Sequence, residues 1–116
     1  MIRRKGQFKT EVREKMRGGT GHVKIEHFWE PGGELKAKTR LCAKLVLDPG
    51  CSIGFHEHKE EEEIYFILRG EGVVEENGEK HPVTAGDSVL TGNGAGHSIA
   101  NTGAEPLELL AFIAQY

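Results

Sequence analysis

Residues 54–70 read GFHEHKEEEEIYFILRG. His56 and His58 sit one residue apart, four glutamates follow at positions 60–63, and the most strand-like run of the chain comes next. In an extended strand, residues i and i+2 point to the same face, so the two imidazoles can converge on one point inside a barrel. Glu63 opens the following strand, five residues beyond His58, after a loop long enough to reverse the chain. Its carboxylate then lies across the hairpin from the imidazoles. His97, in a short strand hemmed by Gly92, Gly94 and Gly96, is available as a fourth donor.

The same rhythm extends on both sides of this stretch. Strands are expected at residues 23–29, 41–47, 53–58, 63–69, 73–75, 81–83, 88–90, 97–100 and 107–114, bounded by Gly, Pro, Asp or Asn. Asn77-Gly78 is a hairpin signal, because a type I′ turn needs positive φ at both central positions. No helical interval separates the strands, so the expected fold is an all-β antiparallel sandwich or barrel. Residues 1–21 have little period and end in Arg17-Gly18-Gly19-Thr20-Gly21, which reads as a flexible entry. An N-terminal arm is expected over residues 1–22 and a single barrel domain over 23–116.

A chain of 116 residues has room for one domain with one core. Its net charge of -3 is unevenly spread: residues 1–44 carry +7 and residues 45–116 carry -10. The basic residues are scattered among strands and turns, without a basic helix or an aromatic platform. Nucleic-acid binding is therefore not expected, since it needs a contiguous positive surface. The basic segment is expected to lie against the acidic remainder of its own chain or of a partner subunit. No segment is apolar enough to span a bilayer, and Met1-Ile2-Arg3-Arg4-Lys5 is not followed by a signal-like apolar stretch, so a cytoplasmic location without membrane contact is expected. Cys42 and Cys51 lack C-x-x-C spacing and read as core or strand residues. Residues 18–21 and 92–96 are glycine-rich but open no helix, which excludes phosphate loops.

Two spaced patterns resemble the cupin family of small β-barrels. The first, G-x5-H-x-H-x3-4-E-x6-G, is met by Gly50, His56, His58, Glu63 and Gly70. The second, G-x5-P-x-G-x2-H-x3-N, is met by Gly86, Gly94, His97 and Asn101, with Gly92 where the family has proline. The resemblance covers roughly residues 40–113 and implies a double-stranded β-helix, or jelly-roll barrel. It also implies that His56, His58, Glu63 and His97 bind one divalent transition metal. Glu63 is the member of the acidic run that fits both spacings, which leaves residues 60–62 as a solvated hairpin. His22, His27 and His81 match nothing and read as structural or exposed.

Three imidazoles and a carboxylate leave a divalent ion with positive charge and, in octahedral geometry, two open positions. The resemblance favours Mn or Fe, with Ni, Zn, Co and Cu as alternatives. Two vacancies admit a chelating ligand, so the expected function is a metal-dependent enzyme acting on a small oxygen-rich molecule, carboxylate or sugar-like. Oxygenation, decarboxylation, isomerisation and lyase chemistry all remain open, because function resides in the site rather than in the fold. The alternative is a non-catalytic module that binds or senses a small molecule. Tyr65 and Ile67 share the parity of Glu63, and Ile99 that of His97, so all three are expected to face the cavity. Tyr65 is thus a candidate catalytic proton donor, whereas Ser98 has the opposite parity and is not a nucleophile. Phe28, Trp29, Lys36, Lys38 and Arg40 are expected either to close the barrel mouth and hold a carboxylate or to form an arm toward a second subunit of a homodimer.

Overall fold

Ten strands and one short 3-10 turn make up the computed structural model, which describes residues 1–116. The strands are β1 Lys9–Glu14, β2 His22–His27, β3 Thr39–Leu47, β4 Ser52–Glu57, β5 Glu61–Arg69, β6 Glu71–Glu76, β7 Glu79–Thr84, β8 Ser88–Gly92, β9 Gly96–Asn101 and β10 Leu107–Gln115. They form two antiparallel sheets, ordered β1-β2-β3-β10-β5-β8 and β4-β9-β6-β7, and together these make a small jelly-roll barrel. Every strand expected from the sequence is present, with ends displaced by no more than two residues. Asn77 and Gly78 have φ of 53° and 76°, as the hairpin between β6 and β7 requires. No helix is long and apolar enough to cross a membrane.

One strand went unread. Lys9–Glu14 pairs antiparallel with β2, from Lys9 opposite His27 to Glu14 opposite His22, where the sequence suggested a flexible entry. Its residues are exposed apart from the half-buried Glu11, so it carries no apolar alternation to detect. The ladder with β2, rather than a buried face, makes it a strand.

The core lies between the sheets. Leu45 and Leu47 of β3, Ile53 of β4, Tyr65 and Ile67 of β5, Ile99 of β9, and Leu107 and Leu109 of β10 are all essentially inaccessible. Burying each aliphatic side chain of this size stabilises the fold by about 1.5–3 kcal/mol. Strand parity places Tyr65, Ile67 and Ile99 inward, as expected. Cys42 and Cys51 are both free thiols, half-buried and buried. The charge asymmetry is resolved only in part across the chain. Arg40 pairs with Glu61 and Lys44 with Glu108, but Arg3, Lys9, Arg13 and Lys24 pair with glutamates of their own segment.

A slip of register in β4 aims the first histidine. Strict alternation from the buried Ile53 would turn Phe55 inward and His56 outward. The β4/β9 ladder instead pairs Ile53 with Ile99 and then His56 with His97, so β4 holds one extra residue between the two pairs. Phe55 is left 58% exposed and the His56 side chain turns inward. Bulges of this kind are a common means of re-aiming a side chain beside a site. At the slip, Gly54 lies flat against the Met16–Gly18 turn: a Cβ there would sit 2.1 Å from the Arg17 carbonyl oxygen. The same turn is fastened to β4 by Ser52 N–H donating to the Thr20 carbonyl at 2.9 Å and by Thr20 N–H donating to Ser52 Oγ at 2.8 Å. Gly54→Ala should therefore destabilise the protein by about 1–3 kcal/mol, the usual range for overpacking. A lowered urea midpoint with unchanged slope would register this; an unchanged midpoint would mean that the turn moves off β4 freely.

Candidate metal centre

Four side chains from both sheets meet at one point. His56 leaves from β4, His58 from the residue after its end, His97 from β9 and Glu63 from β5, and one donor atom from each lies within 4.8 Å of every other. His97 Nε2 is 2.9 Å from Glu63 Oε1, 3.1 Å from His58 Nε2 and 3.2 Å from His56 Nε2. His58 Nε2 is 3.0 Å from the same carboxylate oxygen, and His56 Nε2 is 3.8 Å from it. Ligands about 2.1 Å from one cation sit about 3 Å apart when adjacent, so the spacing suits a single ion.

Proton inventory makes the same point. His56 Nδ1 is 2.8 Å from the Gly54 carbonyl, which can only accept, so Nδ1 carries the hydrogen. His58 Nδ1 is 2.6 Å from Glu61 Oε2 and donates to that carboxylate. In the neutral rings both Nε2 atoms are therefore bare and point, with the Glu63 carboxylate, into the same space. Such a donor set fits a divalent cation, and the cluster could hold one. Burial pushes the Glu63 carboxyl upward, but the imidazoles of His56, His58 and His97 gathered around it hold it far below the usual carboxylate range, so it stays ionised. Burial lowers His97. It also works against His58, where Glu63 and Glu61 prevail and raise the imidazole.

Glu61 is not the solvated hairpin residue that the acidic run suggested. It is buried, accepts from His58 Nδ1, and takes two bonds from Arg40, Nε at 2.8 Å and Nη2 at 2.7 Å. The Arg40 guanidinium is the main reason its carboxyl falls to about 2, with His58 adding to the effect against burial. Arg40 thus does hold a carboxylate, but one of its own chain. A hydrogen-bonded carboxylate behind a ligating imidazole fixes both ring orientation and tautomer. Glu60, with φ of 59°, turns the chain just before β5, so that Glu61 enters with the parity of Glu63. That shared parity was the available signal.

His97 lacks such a partner, and its Nδ1 is a buried atom with no hydrogen bond. Its ring is held by stacking on Tyr65, with centroids 4.7 Å apart and planes 10° from parallel. Burial, and secondarily the Glu63 charge, raise the Tyr65 hydroxyl well above its ordinary value, with the Arg17 charge opposing them, so the hydroxyl keeps its proton.

A cavity of about 110 Å³ opens from the cluster. His56, His58, Glu63 and Tyr65 line it, together with His27, Arg13, Arg17 and Arg40. His27, which matched no motif, is thus a wall residue; its Nε2 lies 3.1 Å from Glu11 Oε1 on β1. The other expected mouth residues lie elsewhere. Trp29 stacks beneath the Arg3 guanidinium at 4.7 Å, Phe28 meets Phe8 edge to face at 5.2 Å, and Lys36 and Lys38 are exposed. His22 and His81 pair with Asp48 and Glu79 outside the cavity.

The departures and matches of the motif have physical reasons. Gly92 stands for proline where β8 runs against β5: a Cβ there would lie 2.4 Å from the Cβ of Glu62, leaving no room for a ring. Asn101 locks the barrel end, donating from Nδ2 to the carbonyls of Leu47 and Glu105 at 2.8 Å each and accepting from Gly103 N–H at 2.9 Å.

Comparison with known proteins places this geometry. The family model described as Cupin domain matches residues 43–113. An oxalate-binding protein of Thermotoga maritima is 44% identical over 113 residues, covering 97% of this chain and 93% of its own. The crystal structure of a predicted oxalate decarboxylase from Thermotoga maritima superposes with a TM-score of 0.95 at 43% identity, covering all of both chains. A cupin 2 conserved barrel domain protein from Salinispora arenicola shares the fold, with a TM-score of 0.76 at 22% identity over 99% of this chain and 88% of its own. With both motifs, the barrel and these likenesses in agreement, the chain belongs to the cupin family.

Proposed function

We propose that this protein is a metal-dependent enzyme acting on a small dicarboxylate of the oxalate class, at a divalent ion held by His56, His58, Glu63 and His97. The observation that carries it is the convergence of four donors beside a cavity, with the neutral His56 and His58 rings both turning bare Nε2 atoms toward Glu63 and His97. Its volume of about 110 Å³ is well under the ~300–1,000 Å³ of drug-sized pockets and suits a carboxylate of few atoms better than a sugar. The oxalate named for the Thermotoga maritima relative is of that size and chemistry. A divalent metal in such a site polarises a chelated carboxylate as a Lewis acid. The mixed nitrogen and oxygen donors, without thiolate, suit manganese, iron, nickel, zinc, cobalt or copper, and the resemblance to other cupins favours manganese or iron.

Within this proposal the chain's own residues divide the work. Converting oxalate dianion and one proton to formate and carbon dioxide breaks the carbon–carbon bond and leaves the proton on carbon. His27 is an acid–base group in the wall outside the donor cluster; as an imidazolium, with Nε2–H donating to Glu11, it has Nδ1–H free to give that proton and becomes the neutral ring. Tyr65, expected from the sequence as a proton donor, takes a positioning role here, because its ring steadies His97 and burial holds its hydroxyl protonated. Two copies are proposed to associate through the outer face of the larger sheet, where Ile64, Phe66, Leu68 and Leu90 are 38–61% exposed. A second reading, a binding or sensing protein without turnover, is favoured by one observation: Glu61 and Glu63 are both fully engaged, so the donor cluster offers no spare carboxylate base.

Three measurements test these statements. Protein purified without chelator should contain near-stoichiometric manganese or iron by plasma mass spectrometry; Glu63→Gln and His97→Ala should lose it, and Glu61→Gln should hold it about 10–100-fold more weakly. An empty site that cannot be refilled would sink the metal assignment. Metal-loaded protein should release formate from oxalate, and His27→Gln should bind oxalate but release formate at least ~100-fold more slowly. Binding without formate from the parent protein would favour the sensing role. Light scattering should give twice the 12.8 kDa chain mass.

A further inference from the structure

The outer wall of the cavity comes from the N-terminal segment, ahead of the residues 43–113 that define the family. Arg13 and Arg17 reach it from β1 and from the Met16–Gly18 turn, and Arg40 from β3. Two of these three guanidiniums are occupied. Arg40 is bound twice by Glu61, and Arg13 lies 2.8 Å from Glu11. Arg17 has no carboxylate within ion-pair distance, although it borders the same space as His56, His58 and Glu63.

Arg17 is also held in a conformation that its residue type disfavours. Its φ of 55° and ψ of 29° are left-handed, a region where glycine or asparagine sits at little cost and other residues are uncommon. Gly18 and Gly19 follow directly, yet the strained position itself carries a long cation. Strain that the surroundings maintain points to a function for the side chain. The surroundings here are specific: the Arg17 carbonyl packs on Gly54, and the Thr20–Ser52 hydrogen bonds pin the turn to the strand that carries His56. The charge is also near enough to act on the buried Tyr65 hydroxyl.

Charge counting then identifies what the cavity lacks. A divalent ion with the Glu63 carboxylate leaves one positive charge, and Arg17 adds a second with no anion to meet it. A small dianion balances both, and a guanidinium fork matches a carboxylate edge. We infer that Arg17 is the specificity-determining residue of this site, grasping the outward carboxylate oxygens of a dianionic dicarboxylate. This assignment rests on the dicarboxylate function proposed above and names the residue that selects for the second negative charge.

Calorimetric titration of the metal-loaded protein with oxalate and, separately, with acetate tests it. Arg17→Gly should melt no lower than the parent, since it relieves the left-handed strain, and should keep its metal. Its oxalate affinity should fall roughly tenfold or more, the scale of a lost charged hydrogen bond, while acetate affinity changes little. Arg17→Gln, which removes the charge without changing the branch-free stem's demands on the backbone, should show the same selective loss, so the test does not depend on how glycine affects folding. Arg17→Lys should recover part of the oxalate affinity. Undiminished oxalate binding in Arg17→Gly and Arg17→Gln would overturn the assignment alone, as would an equal loss for oxalate and acetate, the mark of a purely structural role. A parent protein that binds metal but no oxalate would overturn the dicarboxylate function and this assignment with it.

Discussion

Three imidazole nitrogens and a carboxylate oxygen crowded within 4.8 Å of one another are the constraint on which the barrel turns. Bare lone pairs facing each other in a buried space are unfavourable unless a positive charge lies among them, because nothing there replaces the water they have lost. The geometry of that crowding crosses the fold. His56 and His97 are opposite neighbours in the smaller sheet, whereas Glu63 belongs to the larger one. A cation held between them would tie the two sheets where buried charge is concentrated, and its binding free energy would add to folding. The aliphatic core from Leu45 to Leu109 supports the other end of the space without that help.

Holding the donors apart from their own alternatives requires a further layer. His58 could rotate if nothing held Nδ1; Glu61 fixes the ring, and Arg40 in turn holds Glu61 in place behind it. The three residues form a chain of charge-assisted bonds whose middle member is ionised at any pH above about 2. His97 is treated differently. With Nδ1 unpartnered, its orientation depends on the flat face of Tyr65, so the fourth donor is placed by packing where the others are placed by hydrogen bonds.

Much of this was legible in the sequence because it obeys a period of two. β3 to β10 declare themselves through alternation and turn residues, and the ligand cluster through the spacing of His56, His58, Glu63 and His97. What escaped lies where alternation fails or is masked. β1 has no buried face, so pairing alone defines it. Glu61 hid inside a run of four glutamates whose members differ only in which side of β5 they occupy; its parity with Glu63 was present but looked like surface charge. The slip between Ile53 and His56 was invisible too, since the sequence of β4 contains nothing that says which residue is the extra one. His27 carries no motif at all and becomes a wall residue only because β2 lies beside β3 in the larger sheet.

Two of these, β1 and His27, lie ahead of Thr39, and that placement explains the division of labour in the molecule. A residue in the barrel proper has little freedom to vary: one face of β5 alone supplies Glu61, Glu63, Tyr65 and Ile67, so any change there alters the donor cluster or the core. The segment before Thr39 has no such duty over most of its length. β1 is exposed, and the turn after it touches the barrel through backbone at Gly54 and Ser52 and through Met16, which packs on the core. These contacts fix where the turn sits without calling on the Arg17 side chain. A side chain at position 17 can therefore differ at the cavity wall without disturbing what holds the donor cluster in place, and variation of that kind is how one barrel can serve many ligands.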